Sequence, residues 1–425
     1  MSRLRLLLKR FPTLADIGVL VSGTVGAQML VLVLTPVSAR LYTPEENGAF
    51  ALLLAAATMI ATIAGLRYEL ALVVEKNAAA ARTLLRFVLT FIGGVGVCLT
   101  LGAYFAREWL ARVFDHPELA PWCLAIGPIM VGLACVNVFN QWFTRERHFR
   151  ALAWNRLQLR GGIEGAQILS ALASFGGVGG LIVGQLIGVG LSASTLAWRA
   201  REALRPGRGK PLHPILREHK NMPLLNGPNA LIDQVRMQGI LFLIGYFFSV
   251  ASVGQFSKAW LLMQAPVALV TGAISQVLFQ RFSTIERGGM YAAVRRCVLG
   301  SAAAAALPFL VLLVVAPALF PWYLGARWEV AGYMAQALVP WLFMNVLSSP
   351  ISTVYVVVRR QGLMLAFASA YLAVGCACLV VGAQLGLSLL ATVWVLSLAM
   401  AACLGGLIAV TFRVARSYDA AAWVA

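Results

Sequence analysis

Charged residues are scarce in this 425-residue sequence. Only 12% of its residues are Asp, Glu, Lys or Arg, whereas soluble globular proteins contain about 25%. Hydrophobic residues make up 60% and fall into blocks of about twenty or more, the length of helix that crosses a bilayer core of about 30 Å. The composition therefore excludes a soluble fold and predicts a protein that crosses the membrane many times.

Segments in which polar and apolar residues alternate are also absent, which excludes a transmembrane β-barrel. We therefore predict an all-α integral membrane fold with about twelve transmembrane helices, arranged as two six-helix halves around a central cavity. The apolar blocks lie at about residues 17–39, 48–66, 84–105, 119–142, 151–175, 177–198, 223–249, 253–279, 298–320, 330–357, 362–384 and 388–412.

The common motifs of catalysis and metal binding are missing. The sequence contains no GxSxG, HExxH or Walker A motif in a suitable context, its seven cysteines form no CxxC pair, and its four histidines are scattered over separate loops. We predict a transporter rather than an enzyme, with no catalytic residue, no metal site and no cofactor.

The positive charge is distributed unevenly. Of the 34 Lys and Arg residues, 26 lie at the two termini and in the even-numbered connections between the blocks, and only four lie in the odd-numbered connections. Because Lys and Arg are enriched in cytoplasmic loops, both termini are predicted to be cytoplasmic. The net charge of +18 thus reflects membrane orientation and indicates no nucleic-acid partner.

A basic loop in the middle of the chain predicts its division. The expected parts are an N-terminal six-helix half over residues 1–205, a cytoplasmic linker over 206–222 and a C-terminal six-helix half over 223–425. The halves share weak similarities about half the chain apart: Gly48-Ala49-Phe50 matches Gly254-Gln255-Phe256, and Pro128 matches Pro340. A parallel repeat explains these pairs, and chance similarity is the alternative.

Charged residues within the apolar blocks are the candidate functional residues, because each costs roughly 2.5–3.5 kcal/mol in the bilayer unless it faces a cavity or a partner. Their spacing places them on one face of the fifth helix and one face of the seventh. On the fifth helix they are Arg156, Arg160 and Glu164, with Gln167 on the same face; on the seventh they are Asp233 and Arg236, with Asn226 and Asn229; Lys258 lies on the eighth.

Four cations and two carboxylates would give a cationic cavity, which suits an anionic ligand such as a pyrophosphate. We expect Arg236, Lys258, Arg156 and Arg160 to contact substrate, and Asp233, Glu164, Asn226 and Asn229 to line the cavity or take part in ion coupling. The alternative is structural: the carboxylates neutralise nearby arginines, and the outermost cations extend to the membrane interfaces.

Three stretches that together cover nearly the whole chain carry a resemblance to a known family. They are ARLYTPEENG at residues 39–48 with LRYE at 66–69, VGQFS at 253–257 with AP at 265–266 and ISQVLF at 274–279, and LGARW at 324–328 with SSPIS at 348–352. In these stretches the sequence resembles the polysaccharide transporters, or O-antigen (Wzx-type) flippases, of the multidrug/oligosaccharidyl-lipid/polysaccharide exporter superfamily.

The resemblance implies a flippase that moves a polyprenyl-pyrophosphate-linked oligosaccharide across the bacterial cytoplasmic (inner) membrane by alternating access. It implies membrane lipids, a polysaccharide polymerase and a chain-length regulator as partners. Coupling to a proton gradient, a sodium gradient or the membrane potential stays open. The alternatives are a drug or cation antiporter of the same superfamily and a membrane-embedded polysaccharide polymerase or ligase.

The charge distribution predicts which loops are accessible from outside the cell. Single cysteines at Asn47, Pro117 and Ala326, in a cysteine-free background, should react with an impermeant maleimide in intact cells. Cysteines at Gly209 and Gln361 should react only after lysis, because their loops belong to the Lys- and Arg-rich side. Labelling at Gly209 in intact cells would contradict the predicted topology.

Overall fold

The computed structural model describes residues 12–113, 117–205, 210–264, 267, 288–358 and 361–420. Throughout these residues the regular secondary structure is helical. The all-α prediction is therefore confirmed.

Twelve long helices, numbered here α1 to α12, coincide with the twelve predicted blocks within the described residues. Helix α8 is described over residues 250–264, and residues 268–279 of its predicted block lie outside the described residues, as do residues 206–209 of the predicted linker. The others are α1 Pro12–Leu41, α2 Pro44–Ile63, α3 Ala78–Val113, α4 Ile126–Arg145, α5 Phe149–Leu172, α6 Gly177–Arg199, α7 Gly227–Phe247, α9 Met290–Leu324, α10 Glu329–Ser348, α11 Gln361–Gln384 and α12 Leu389–Ala420.

Nine of the described helices are long and apolar enough to cross a membrane by length and composition alone. Helices α5 and α7, which carry all the predicted intramembrane charges except Lys258, are not among these nine; nor is α8, which carries Lys258 and is described over only part of its predicted block. Helices α5 and α7 are nevertheless more than twenty residues long, 24 and 21 residues respectively, which suffices for a span. Charge lowers their hydropathy without shortening the helix.

The contacts divide the chain into two compact units, Met1–Phe242 and Leu243–Ala425. This division falls inside α7, later in the chain than the predicted linker at 206–222. The predicted halves were defined by counting helices across a polar loop rather than by contacts. The proposed repeat and its central cavity stay predictions.

Small residues allow the helices of the first unit to approach closely. A Cβ atom on Gly23 of α1 would lie 2.6 Å from the Cβ of Ala153 on α5, and one on Gly188 of α6 would lie 2.4 Å from the backbone nitrogen of Ile163. Since lipid is as apolar as the helix surfaces, such close packing is a main source of association between membrane helices. Helix α5 is thereby held between α1 and α6.

In the second unit, a carboxylate from the end of one helix caps the beginning of another. Asp419, near the end of α12, accepts hydrogen bonds from the backbone N–H groups of Gly288, Met290 and Tyr291 at 3.0, 3.1 and 2.9 Å. These donors have no partner within α9, because the first N–H groups of a helix never do. The contact also places a negative charge at the positive end of the α9 dipole.

Replacing Asp419 should weaken this unit. Asp419→Ala removes a helix cap, a loss that usually costs about 0.5–2 kcal/mol, so we expect a lower thermal unfolding midpoint in detergent. Glu108→Ala is the matched control, because the Glu108 side chain is 77% exposed. An unchanged midpoint in Asp419→Ala would show that the cap adds little.

Candidate functional site

The four predicted residues of α5 share a face but have different environments. The guanidinium of Arg156 donates to the hydroxyl of Thr24 on α1. Gln167, 4% exposed, donates to the Leu181 carbonyl of α6 at 3.1 Å. Arg156 and Gln167 therefore bind neighbouring helices.

Arg160 and Glu164 lie between those two contacts. The Arg160 side chain is exposed, and among the residues that the structure describes neither Arg160 nor Glu164 makes an ion pair. Oε2 of Glu164 is shielded and accepts no hydrogen bond from a described residue. Among the described residues, the suggested neutralisation of Arg160 by Glu164 is thus not made.

Further polar contacts fix α5 against α6. Ser192 donates to the side-chain oxygen of Asn155 at 2.7 Å, and Gln158 donates to the hydroxyl of Thr195 at 2.7 Å. Asn155 is 2% exposed and Ser192 is fully buried. Hydrogen bonds between helices satisfy polar groups that lipid cannot, so the least apolar predicted span is stable in this position.

On α7 the two predicted charges bind each other. Arg236 Nη2 lies 3.1 Å from Asp233 Oδ1, an ion pair between residues one turn apart. The Asp233 side chain is 60% exposed and that of Arg236 34%. The carboxylate side of the pair is therefore exposed, whereas the arginine is partly buried.

The two predicted asparagines lie at the start of the same helix. Asn226 ends a π-helical turn, Met222–Asn226, and its amide donates to the sulfur of Met222 at 3.4 Å. Asn229 lies one turn further on, and both side chains are exposed. π-Helical turns are rare and often occur at functional sites.

Lys258 lies on α8, in the second unit. Its Nζ is 5.9 Å from the ring centroid of Trp328, a fully buried residue in the turn Ala326–Trp328 between α9 and α10. One turn earlier, Gln255 donates to the Arg327 carbonyl at 2.7 Å and accepts from the Ala331 N–H at 2.9 Å. Lys258 is thus close to a structural contact at the α9–α10 connection.

Sequence reasoning missed a group of titratable residues in the loop between α2 and α3. Glu75 Oε2 lies 3.1 Å from His219 Nε2, and Glu218 lies near them, with one ligand atom from each residue within 4.8 Å of the others. Burial raises the pKa of Glu75, but hydrogen bonds from Asn77 N–H and His219, with the charges of His219 and Lys210, lower it overall. The contact between Glu75 and His219 ties the loop between α2 and α3 to the linker.

Other contacts tie the same loop to the central linker. The Tyr68 hydroxyl donates to the Leu216 carbonyl at 3.3 Å, and Arg86 of α3 donates to the Arg205 carbonyl at 3.3 Å. Arg145, at the end of α4, donates to the Glu75 carbonyl at 3.2 Å. These pairs are far apart in sequence and follow no periodic pattern, so the sequence offered no signal for them.

Comparison with known proteins agrees with this architecture. A model of the family described as "Polysaccharide biosynthesis protein" matches residues 37–332. No curated protein sequence matches the chain.

Solved structures of transporters share the fold. A structure titled "Lipid II flippase MurJ, inward closed conformation" superposes with a TM-score of 0.73 at 12% identity, covering 95% of this chain and 90% of that one. An inward-facing multidrug resistance MATE family transporter of the MOP superfamily gives 0.63 at 14% identity, covering 94% of each chain. A MOP superfamily transporter from Pyrococcus furiosus gives 0.54 at 15% identity, covering 96% and 93%.

Proposed function

The chain belongs to the polysaccharide biosynthesis protein family, and on that premise we propose that it is a flippase for a polyprenyl-pyrophosphate-linked oligosaccharide. It carries this lipid from the inner to the outer leaflet of the bacterial cytoplasmic membrane by alternating access. The product serves the synthesis of cell-surface or extracellular polysaccharide, together with a polymerase and a chain-length regulator. The fold shared with a flippase for lipid II supports a lipid-linked substrate.

The environment of Arg160 is the main support for the proposal. It lies at the middle of α5, its side chain is exposed, and it makes no ion pair with a described residue. A cation at this depth costs roughly 2.5–3.5 kcal/mol in hydrocarbon, so it requires water or an anion. A pyrophosphate supplies the anion, and the planar guanidinium can bind its oxygens with two hydrogen bonds.

A drug or cation antiporter is the second candidate, because multidrug transporters share the fold. The exposed carboxylate of Asp233 favours this candidate, because a carboxylate can bind a cationic substrate; the side chain is 60% exposed. However, Asp233 already binds Arg236 at 3.1 Å, and the intramembrane cations outnumber the carboxylates. A polymerase or ligase gains no support, since the similar structures are transporters.

Arg160→Ala should reduce delivery of the lipid-linked saccharide to the outer leaflet by about tenfold or more, the effect of losing one charge-assisted hydrogen bond. Arg160→Lys should recover part of the activity, because lysine keeps the charge but not the two-pronged geometry. Arg296→Ala, an exposed arginine of α9, is the control and should transport normally. Full transport by Arg160→Ala at matched membrane abundance would remove the main support for an anionic substrate.

Variants of the ion pair on α7 distinguish a ligand-binding role of Arg236 from a structural one. If Arg236 binds substrate, Arg236→Ala should lose transport, and adding Asp233→Ala should not restore it. If Arg236 only neutralises Asp233, the double variant should recover activity, since no buried charge is left without its partner. Transport in inverted vesicles, normalised to protein in the membrane, distinguishes the two.

A further inference from the structure

Glu69 is a buried carboxylate in the turn Tyr68–Leu70, between α2 and α3. The residue is 2% exposed, and both of its carboxylate oxygens are shielded and accept no hydrogen bond from another described residue. Buried carboxylates normally accept several hydrogen bonds, because an ionised one without them is costly. This group therefore differs from Glu75, which is hydrogen-bonded to His219 nearby.

The backbone around Glu69 is strained. Leu66 and Arg67 both adopt the left-handed conformation, with φ of 52° and 60°, which non-glycine residues rarely do. A Cβ atom at Gly65 would lie 2.8 Å from Glu69 Oε2 and 3.1 Å from Val88 of α3, so the glycine makes room for the carboxylate. Strain of this kind persists where the surrounding structure enforces it, and it concentrates at functional sites.

The charges around Glu69 only partly compensate for its burial. Arg67 Nη1 lies 3.4 Å from Oε1, and the Arg67 side chain is 20% exposed. The turn also packs against α3, α4, the short helix Ala71–Val74 and the π-helical turn. Of these, the last two carry no titratable group, and on α3 Arg82 is exposed to solvent.

Arg86 near the start of α3 and Arg145 at the end of α4 are engaged elsewhere, and the other charges of α3, namely Arg107, Glu108 and Arg112, lie near its far end. Arg86 donates to the carbonyls of Arg82 and Arg205. Arg145 donates to the carbonyl of Glu75 and to the carboxylate of Glu146. Glu69 thus depends on one partly exposed arginine, an arrangement in which desolvation can outweigh the attraction.

We propose that Glu69 is a proton-binding site on the predicted cytoplasmic side of the first unit, and that its protonation couples transport to the proton gradient. Burial raises the pKa of Glu69, although a hydrogen bond from its own backbone N–H and the charge of Arg67 oppose the shift. Binding a proton removes the buried charge and releases Arg67. The preceding residue, Tyr68, holds the linker through Leu216, so the change is transmitted to the segment that leads into α7. The coupling part of this inference rests on the proposed function, whereas the proton site does not.

Proton binding is measured directly on the purified protein by infrared difference titration. The wild type should show a carboxyl band that titrates at a higher pH than exposed carboxylates do, and Glu69→Gln should lose that band. Glu146→Gln, in which the replaced side chain is 38% exposed, should keep it. Arg67→Gln should move the titration to still higher pH, since the opposing charge is gone. A band that survives in Glu69→Gln, or does not move in Arg67→Gln, would overturn the assignment.

Stability provides a second readout with a definite sign. A folded-state pKa above the unfolded value means that the wild type loses stability as the pH rises through the folded pKa. Glu69→Gln stays neutral, so its thermal midpoint should exceed that of the wild type on the alkaline side and approach it in acid. The reverse order would contradict a raised pKa.

Transport tests the coupling separately. In vesicles with an imposed pH gradient, wild-type flipping should depend on the gradient and Glu69→Gln should lose that dependence while keeping the lipid-linked substrate bound. Retained dependence in Glu69→Gln would reject the coupling role. If the wild type moves no lipid-linked saccharide, the proposed function fails, and the infrared titration still decides whether Glu69 binds the proton.

Discussion

A polar group in the hydrocarbon core of a membrane finds no water, so it must contact another part of the chain, a ligand or a cavity. Helix α5 shows what this constraint requires. Its charged and amide side chains make it the least apolar predicted span, and Arg156, Gln158 and Gln167 bind α1 and α6 in response. Glycines on those neighbours bring the backbones close enough for these contacts. The packing of the first unit thus follows from the polarity of one helix.

The charged residues are of two kinds: some form an ion pair within their own helix, and others do not. Asp233 and Arg236 lie one turn apart on α7, so their pairing persists wherever that helix moves. Arg160 and Glu164 make no ion pair among the described residues, and Glu69 has only Arg67, which is partly exposed. The energies of these three groups therefore depend on their surroundings and change when those surroundings change. A transport cycle needs groups of this second kind, because only their energies change with the conformation or with a bound ligand.

The helices were predictable because hydropathy and charge are local properties of the sequence. Within the described residues, the twelve apolar blocks coincide with helices, even for α5 and α7, where charge lowers the hydropathy. Helical periodicity also placed Arg156, Arg160, Glu164 and Gln167 on one face. It did not reveal which neighbour each side chain meets, so it failed to distinguish Gln167, which binds α6, from Arg160, which pairs with no described carboxylate.

The loop between α2 and α3 was beyond sequence reasoning for a different reason. Two consecutive left-handed residues, Leu66 and Arg67, contradict the ordinary preferences of leucine and arginine, and tertiary packing alone stabilises them.

The resulting turn buries Glu69 and presents Tyr68 and Glu75 to the linker, where they meet Leu216 and His219. From His219 the chain passes through the π-helical turn directly into α7. Under the proposed role of Glu69, a change in its charge reaches the helix that carries Arg236 through the contacts of the loop with the linker and from there along the backbone. Because this path lies within the first unit, it requires no assumption about how the two units are arranged.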